Sequence, residues 1–211
     1  DVVKNVLRFL IQDVNAANAN RVYEAYLKKT GYQLELKQAE AVKTFASTRY
    51  GIQILCGGAG VGKTFTLNVI LKMLEIQARL EKRDLEIKVF APTGRAAKVA
   101  SVATKRKAET VHRGLEYSPI NGFTFNERNP IDADVVIIDE FSMMDVELTA
   151  HLFNAIPAEC KVILIGDTKQ LSSVGPGRVL KDLIESNLIP TVVLDVVKRQ
   201  AEGSDIIANA N

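Results

Sequence analysis

Residues 57–64 read GGAGVGKT and have the spacing G-x-x-x-x-G-K-[ST] of a phosphate-binding loop. Glycines let backbone N–H groups turn toward a phosphate without Cβ clashes, and a following helix N-terminus adds partial positive charge. Lys63 is then placed to reach the β- and γ-phosphates, and the Thr64 hydroxyl to bind Mg²⁺. The candidate nucleotide-binding residues are Gly58, Ala59, Gly60, Val61, Gly62, Lys63, Thr64 and Phe65. We therefore predict a nucleoside triphosphate site; a glycine-rich loop that binds nothing is the alternative.

Two acids, Asp139 and Glu140, directly follow the apolar run 135–138. The carboxyl end of such a strand faces the phosphates in nucleotide-hydrolysing folds. Asp139 is suited to hold Mg²⁺ there, and Glu140 to orient and deprotonate the attacking water. An acidic pair in an ordinary turn is the alternative. Because a phosphate loop lies about 75 residues earlier, the sequence favours hydrolysis.

A third polar segment, GDTKQL at residues 166–171, follows another apolar run. The amide of Gln170 offers both a donor and an acceptor, so it could contact the γ-phosphate or the attacking water. A polar turn without a role is the alternative.

Alternating strand and helix patterns from about residue 34 onward must hold these residues. Strands are predicted at 52–56, 87–91, 135–138, 162–165 and 192–194, and helices at 37–47, 65–80, 95–103, 146–156 and 179–185. Continuously apolar strands are typical of a parallel sheet covered on both faces. Together the patterns predict an α/β doubly wound fold.

Residues 1–33 form a predicted helical N-terminal segment. The apolar positions of one helix are Val2, Val3, Val6, Leu7, Leu10 and Ile11. Residues 15–29 form a second predicted helix, which Gly31 ends.

The dipeptide Asn121-Gly122 is a signal for a two-residue hairpin turn. It predicts a short exposed hairpin in an insertion at about residues 115–128. A surface loop without a role has equal weight from the sequence alone.

The bulk composition fits a globular protein. The 211 residues correspond to one large domain, or one domain with a small appendage, and are 47% apolar and 25% charged. The sequence has neither an apolar run of about 18 residues nor a secretory layout, so we expect no membrane partner and a cytoplasmic location. Cys56 and Cys160 are predicted to be buried free thiols. A net charge of +2 is too weak to indicate nucleic acid by itself.

The ordered motifs resemble those of superfamily 1 helicases of the RecD/TraA type. In chain order they are LELKQAEAV, GGAGVGKT, APTGRAAK, TVHRGL, IIDEFSMMD, GDTKQLSSVGPGRVL and KRQAEGSDI. They cover residues 34–206, which is most of the chain. The resemblance implies a RecA-like P-loop NTPase domain that couples ATP hydrolysis to 5′→3′ movement along single-stranded DNA.

The resemblance also implies roles by position. Gln38 matches a glutamine that reads adenine, Gln170 one that couples the γ-phosphate to DNA movement, and Arg199 an arginine that contacts the γ-phosphate across the cleft. The implied DNA-binding residues are Pro92, Thr93, Gly94, Thr110 and His112. Local alternatives are Thr93 as a helix cap and His112 as a packed histidine. The hairpin falls where such enzymes carry a pin that helps to split the duplex.

A motor of this type has two RecA-like domains with ATP between them. We expect residues 34–195 to be the first domain and residues 196–211 to lead toward a second domain of the same polypeptide. The implied catalytic residues are Lys63, Glu140, Gln170 and Arg199. With one wall of the cleft missing, the isolated chain is expected to be weakly active or inactive.

The resemblance implies ATP and Mg²⁺ as cofactors and single-stranded DNA as a partner. DNA repair and recombination are the implied processes, and a nuclease or repair complex stays open as a further partner. Two other interpretations also stay open. One is a P-loop enzyme of another class, such as a nucleotide kinase or an AAA-type ATPase. The other is a nucleotide- or DNA-binding module without hydrolysis.

Overall fold

A computed structural model describes residues 2, 9, 16–49, 51–167 and 177–196. Within that part of the chain, six strands form one parallel sheet: β1 (Gly51–Gly57), β2 (Ile87–Ala91), β3 (Ala108–Thr110), β6 (Val135–Ile138), β7 (Lys161–Gly166) and β8 (Thr191–Leu194). Their order in the sheet is β3-β2-β6-β7-β1-β8. A separate antiparallel hairpin pairs β4 (Tyr117–Ser118) with β5 (Gly122–Phe123). The predicted α/β fold and its five predicted strands are confirmed.

The helices alternate with the strands. They are α1 (Ala16–Thr30), α2 (Leu36–Ala46), α3 (Lys63–Leu80), α4 (Gly94–Thr104), α5 (Val111–Gly114), a 3₁₀ helix (Phe141–Met143), α6 (Val146–Ala155) and α7 (Val179–Glu185). All five helices predicted after residue 34 are confirmed, and α1 confirms the helix predicted at 15–29. Gly31 ends α1 with φ +70°, and its N–H donates to the carbonyl of Leu27. The helix predicted from the apolar positions 2–11 lies outside the described residues except for positions 2 and 9.

Apolar clusters cover both faces of the sheet. Ile54 and Leu55 are adjacent in β1 and belong to different clusters, because successive side chains of a strand point to opposite faces. Helices α1, α2 and α3 cover one face, where Tyr23 and Phe45 are buried. Helix α6 covers the other face, with Phe153 fully buried. The fully buried β1 explains why its sequence is a continuous apolar run.

The hairpin prediction is confirmed, but the predicted turn is wrong. Ser118 pairs with Gly122, so the three residues 119–121 form the connection. Gly122 has φ +71°, which suits the left-handed residue that closes a three-residue loop. The glycine signal was therefore correct, and the turn type was not.

The burial of both cysteines agrees with the sequence prediction. Cys56 and Cys160 are buried and free, and burial raises their thiol pKa values to about 11 and about 12. No helix in the described part of the chain is long and apolar enough to cross a membrane.

Candidate nucleotide-binding and hydrolysis site

Three adjacent strands bring the candidate residues to one end of the sheet. Strands β6, β7 and β1 are neighbours and run in the same direction. The phosphate loop follows β1, Asp139 and Glu140 follow β6, and Asp167 follows β7. The carboxyl ends of the strands therefore form one site, as in other open α/β sheets that bind nucleotides.

The phosphate loop has the backbone that its glycines predict. Gly60 and Gly62 have φ +77° and +86°, which are left-handed values. A Cβ on Gly62 would lie only 2.6 Å from Nε2 of Gln38, so this position favours glycine for space as well. Helix α3 begins at the next residue, and its unpaired N–H groups add partial positive charge at the loop.

Lys63 lies against the mouth of this loop. Its Nζ donates to the carbonyl oxygens of Gly57 at 2.6 Å and of Gly58 at 2.8 Å. Thr64 is exposed in the first turn of α3. Phe65 is 37% exposed, and its ring is in edge contact with Tyr32 at 5.4 Å. An ammonium, a hydroxyl and an aromatic ring thus surround the start of α3.

The acid pair after β6 lies in a poorly solvated place. The Asp139 N–H donates to the Phe90 carbonyl, and Asp139 Oδ1 accepts from the Glu140 N–H at 3.0 Å. Burial raises the pKa of Asp139, partly offset by that hydrogen bond and by Lys63. Burial also raises the pKa of Glu140, as do the negative charges of Asp139 and Asp167, while Lys63 lowers it. A carboxylate with a raised pKa is a stronger base, which suits proton abstraction from water.

Glu140 also has an unusual backbone. Its φ of 53° and ψ of 38° are left-handed, which is uncommon for a residue with a β-carbon. Such conformations cluster at functional sites, because the surrounding structure must hold them. The 3₁₀ helix that starts at Phe141 anchors the turn with a fully buried ring.

Asp167 is a third acid at the site, and sequence reasoning gave it no role. It is 7% exposed, and a Cβ on Gly58 would lie 3.9 Å from its Oδ2. Its charge contributes to the raised pKa of Glu140. Asp167 belongs to the GDTKQL motif, so the sequence contained the signal, but the side-chain chemistry of that motif favoured Gln170 as the functional residue.

Gln38 lies next to the phosphate loop, and its side-chain amide contacts backbone groups of the protein. It is 2% exposed, and its Oε1 accepts from the Glu35 N–H at 3.2 Å as part of the α2 capping box. Its Nε2 lies 3.5 Å from the Val61 carbonyl oxygen. An amide has one further acceptor site and one further donor, so adenine recognition stays a prediction.

The predicted DNA contacts lie at the end of β2 and around α5. Thr93 caps α4 by accepting from the Ala96 N–H at 3.2 Å, which confirms the capping interpretation. Pro92 and Gly94 flank it, half-buried and exposed respectively. Thr110 caps α5 in the same way, at 3.2 Å from the Arg113 N–H. DNA contact at these residues stays a prediction.

His112 is exposed, and its ring contacts those of Tyr117 and Phe123 at 5.4 and 5.7 Å. It is therefore a surface histidine in an aromatic group. Gln170 and Arg199 lie outside the described residues, so their roles stay predictions.

Comparison with known proteins confirms the resemblance. The family described as AAA domain matches residues 33–211. The ATP-dependent RecD2 DNA helicase of Deinococcus radiodurans is 36% identical over 207 residues, which cover 98% of this chain and 27% of that protein. The RecBCD enzyme subunit RecD of Haemophilus influenzae is 33% identical over 206 residues, covering 84% and 31%. The chain thus spans about a third or less of these relatives.

Solved structures agree on the fold. The Pif1 helicase from Candida albicans matches with a TM-score of 0.56 at 22% identity, covering 80% of this chain and 41% of that one. This similarity supports the α/β architecture described above.

Proposed function

The chain belongs to the AAA-domain family, and from this premise we propose that it is the ATP-hydrolysing motor domain of a RecD-like DNA helicase. One observation carries the proposal: the phosphate loop with Lys63 lies at the same end of the sheet as Asp139 and Glu140. This arrangement supplies both a phosphate cradle and a base. Membership of the AAA-domain family does not specify a substrate. The proposal that the substrate is DNA is supported by the similarity to RecD2 and RecD helicases.

The residues at the site fit a triphosphate with Mg²⁺. Burial disfavours the ionised form of Asp139, and a divalent cation beside it would restore that form. Thr64 and Asp139 supply the hard oxygen donors that Mg²⁺ prefers. When bound, the ion would neutralise charge on the phosphates. Lys63 would then exchange its bonds to the loop carbonyls for bonds to the β- and γ-phosphates.

Glu140 would act as the general base on the attacking water. Its raised pKa makes it a better proton acceptor, and the left-handed backbone fixes the direction in which its side chain leaves the main chain. Gln38 would contact adenine, and Gln170 and Arg199 would report the γ-phosphate to the DNA grip. That grip would comprise Pro92, Thr93, Gly94, Thr110 and His112. Movement in the 5′→3′ direction, and a second motor domain that closes the cleft, complete the proposal.

Steady-state ATP hydrolysis by the full-length protein, with and without oligo-dT, tests this function. We expect strong stimulation by single-stranded DNA, and binding that weakens as salt is raised, because backbone contacts release counterions. Forked substrates with a single 5′ or 3′ tail then test the polarity.

Two results would contradict the proposal. Hydrolysis that does not respond to DNA would indicate a P-loop ATPase of another class. ATP binding without hydrolysis, in the presence of DNA and Mg²⁺, would indicate a binding module without catalysis.

A further inference from the structure

Four aromatic rings form an open group beside the hairpin. We call the group of His112, Tyr117, Phe123 and His151 the aromatic cleft. Phe123 lies at its centre, with ring centroids 4.5 Å from His151, 4.9 Å from Tyr117 and 5.7 Å from His112. Tyr117 is 47% exposed, both histidines are exposed, and Phe123 is half-buried. An open group of aromatic rings offers faces on which a planar ligand can stack.

Three elements supply these rings. His112 comes from α5, Tyr117 and Phe123 from the two strands of the hairpin, and His151 from α6. The rings border a cavity of about 210 Å³, to which Asp145, Glu147 and Leu148 of the α6 start also contribute. This volume is below the range of about 300–1,000 Å³ typical of drug-sized ligands, so one planar group fits better than a large molecule.

The chemistry of the cleft favours a base over a phosphate. Asp145 and Glu147 put negative charge at its rim, which repels a phosphate but can accept hydrogen bonds from N–H groups of a base. Asp145 already accepts from the Leu148 N–H at 2.7 Å, so Glu147 is the acceptor more suited to a ligand. Aromatic faces stack with any nucleobase, whatever its sequence. Arg113 lies beside His112 with its side chain 78% exposed, and its Nε is paired with Glu109 Oε1 at 3.3 Å; its other guanidinium N–H groups suit the backbone phosphate outside the cleft.

We propose that the aromatic cleft binds one unpaired nucleobase of a DNA strand, stacked on the exposed rings of Tyr117 and His151, both of which Phe123 holds in place by direct contact. This inference rests on the proposed function and adds a base-binding site between the predicted strand contacts and the hairpin. The cleft holds a base that has left the duplex, so it would favour strand separation next to the hairpin. Its preference between bases would be weak, because stacking dominates.

The experiment compares intact and abasic strands. Fluorescence anisotropy measures binding of oligo-dT to the full-length protein, and to its Phe123→Leu and Tyr117→Leu variants. Stacking is worth about 1–3 kcal/mol per base, so each variant should bind about 5- to 150-fold more weakly. A single abasic site is moved stepwise along the strand, and at one position it should weaken DNA binding by the unsubstituted protein. At that position the abasic site should cause little further loss of DNA affinity in either variant.

Two controls separate stacking from charge and from folding. Phe125→Leu makes the same substitution in the same insertion outside the cleft, and should leave affinity unchanged. Arg113→Gln should reduce the slope of log affinity against log salt by about 0.7, while Phe123→Leu should leave that slope unchanged. Because Tyr117 is exposed, its variant keeps the test valid if Phe123→Leu disturbs the hairpin.

Each contrary result has a distinct meaning. Strong DNA binding that neither ring variant nor any abasic site weakens would overturn the inference and leave the proposed function standing. No DNA binding by the unsubstituted protein would overturn both. Unchanged DNA affinity, with Phe123→Leu converting an oligomer into single copies in sedimentation, would instead identify the cleft as a protein interface. That outcome would also overturn the inference.

Discussion

The amino and carboxyl ends of the parallel sheet both remove ionisable side chains from water, and they differ in the partners that surround those side chains. At the amino end, Lys161 is fully buried at the start of β7. Its Nζ donates to the carbonyl oxygen of Phe45 at 2.8 Å, to Thr48 Oγ1 at 2.6 Å and to Gln53 Oε1 at 3.3 Å. Three donors thus meet three acceptors, and one acceptor lies in the last turn of α2, where a cation is favoured.

At the carboxyl end, the described partners of the acids are fewer: Asp139 Oδ1 accepts from the Glu140 N–H, and the charge of Lys63 lowers the pKa values of both acids. The pKa values of Asp139 and Glu140 are raised, chiefly by burial. Glu140 also sits on a left-handed backbone. The difference indicates two roles: the amino end supplies all three acceptors of Lys161 from the chain itself and contributes to stability. We propose that a bound nucleotide balances the charges of the carboxyl end, which contributes to function.

The largest expected effect is on hydrolysis at the carboxyl end. In Glu140→Gln the general base is lost, so kcat should fall about 10²- to 10⁴-fold. Nucleotide affinity should be retained, since Lys63 and the loop are unchanged. The free energy of unfolding should not fall, because a buried charge beside Asp139 is removed. Single-turnover hydrolysis, fluorescent-nucleotide binding and urea unfolding measure these quantities.

Glu24→Gln, an exposed position on α1, is the matched control and should leave all three quantities unchanged. Hydrolysis at the original rate in Glu140→Gln would show that another group activates the water.

The next largest effect is on stability at the amino end. Lys161→Ala leaves a cavity and removes the donor for buried acceptors, so unfolding should become easier by about 2–5 kcal/mol. Lys161→Met fills the volume and removes the desolvated charge, so its cost should be smaller. ATP affinity should be the same in both. Urea denaturation and nucleotide titration measure these effects.

Lys72→Ala, at an exposed lysine of α3, is the control and should change stability by less than about 0.5 kcal/mol. If Lys161→Ala cost no more than this control, the buried network would not stabilise the fold.

The pH dependence of stability should also reflect Lys161. Burial lowers its pKa to about 7 from a model-peptide value of 10.5. Between these values the unfolded chain binds more protons, so this lysine makes stability rise with pH. Lys161→Met lacks that contribution. Its stability relative to the unsubstituted protein should therefore fall as pH rises from about 7 to about 10.5, and be constant below 7.

Urea unfolding of the two proteins at several pH values in this window provides the measurement, with Lys72→Met as the control. A constant difference across the window would mean that the three acceptors keep the Lys161 ammonium charged throughout.

The two ends also differ in how far the sequence predicts them. The phosphate loop and the acid pair are contiguous in the chain, and their residue types follow from local needs such as the left-handed φ of Gly62. The partners of Lys161 lie more than 100 residues away in sequence. A lysine before an apolar run is typical of an exposed strand start, so the sequence alone could not predict its burial.

Short elements escaped prediction for a different reason. Strand β3 has three residues and α5 has four, too few for a hydrophobic period to show. The contact between His151 and the hairpin joins segments whose proximity depends on how α6 packs on the sheet. Hydrophobic periodicity therefore predicts the long helices and strands, whereas the short elements and the contacts between distant segments depend on tertiary packing.

Thr93 gives the smallest expected effect and tests whether one residue serves both structure and ligand at the carboxyl end. Thr93→Ala loses the α4 cap and should cost about 1 kcal/mol of stability. Thr93→Asp keeps a cap and adds a charge that the helix N-terminus favours, so stability should hold. If the strand passes this loop, the same charge repels its phosphates, and the Asp variant should bind oligo-dT more weakly than the Ala variant. Equal DNA affinity for the Asp variant and the unsubstituted protein would limit Thr93 to capping. The ligand-binding part of the carboxyl end would then not include the start of α4.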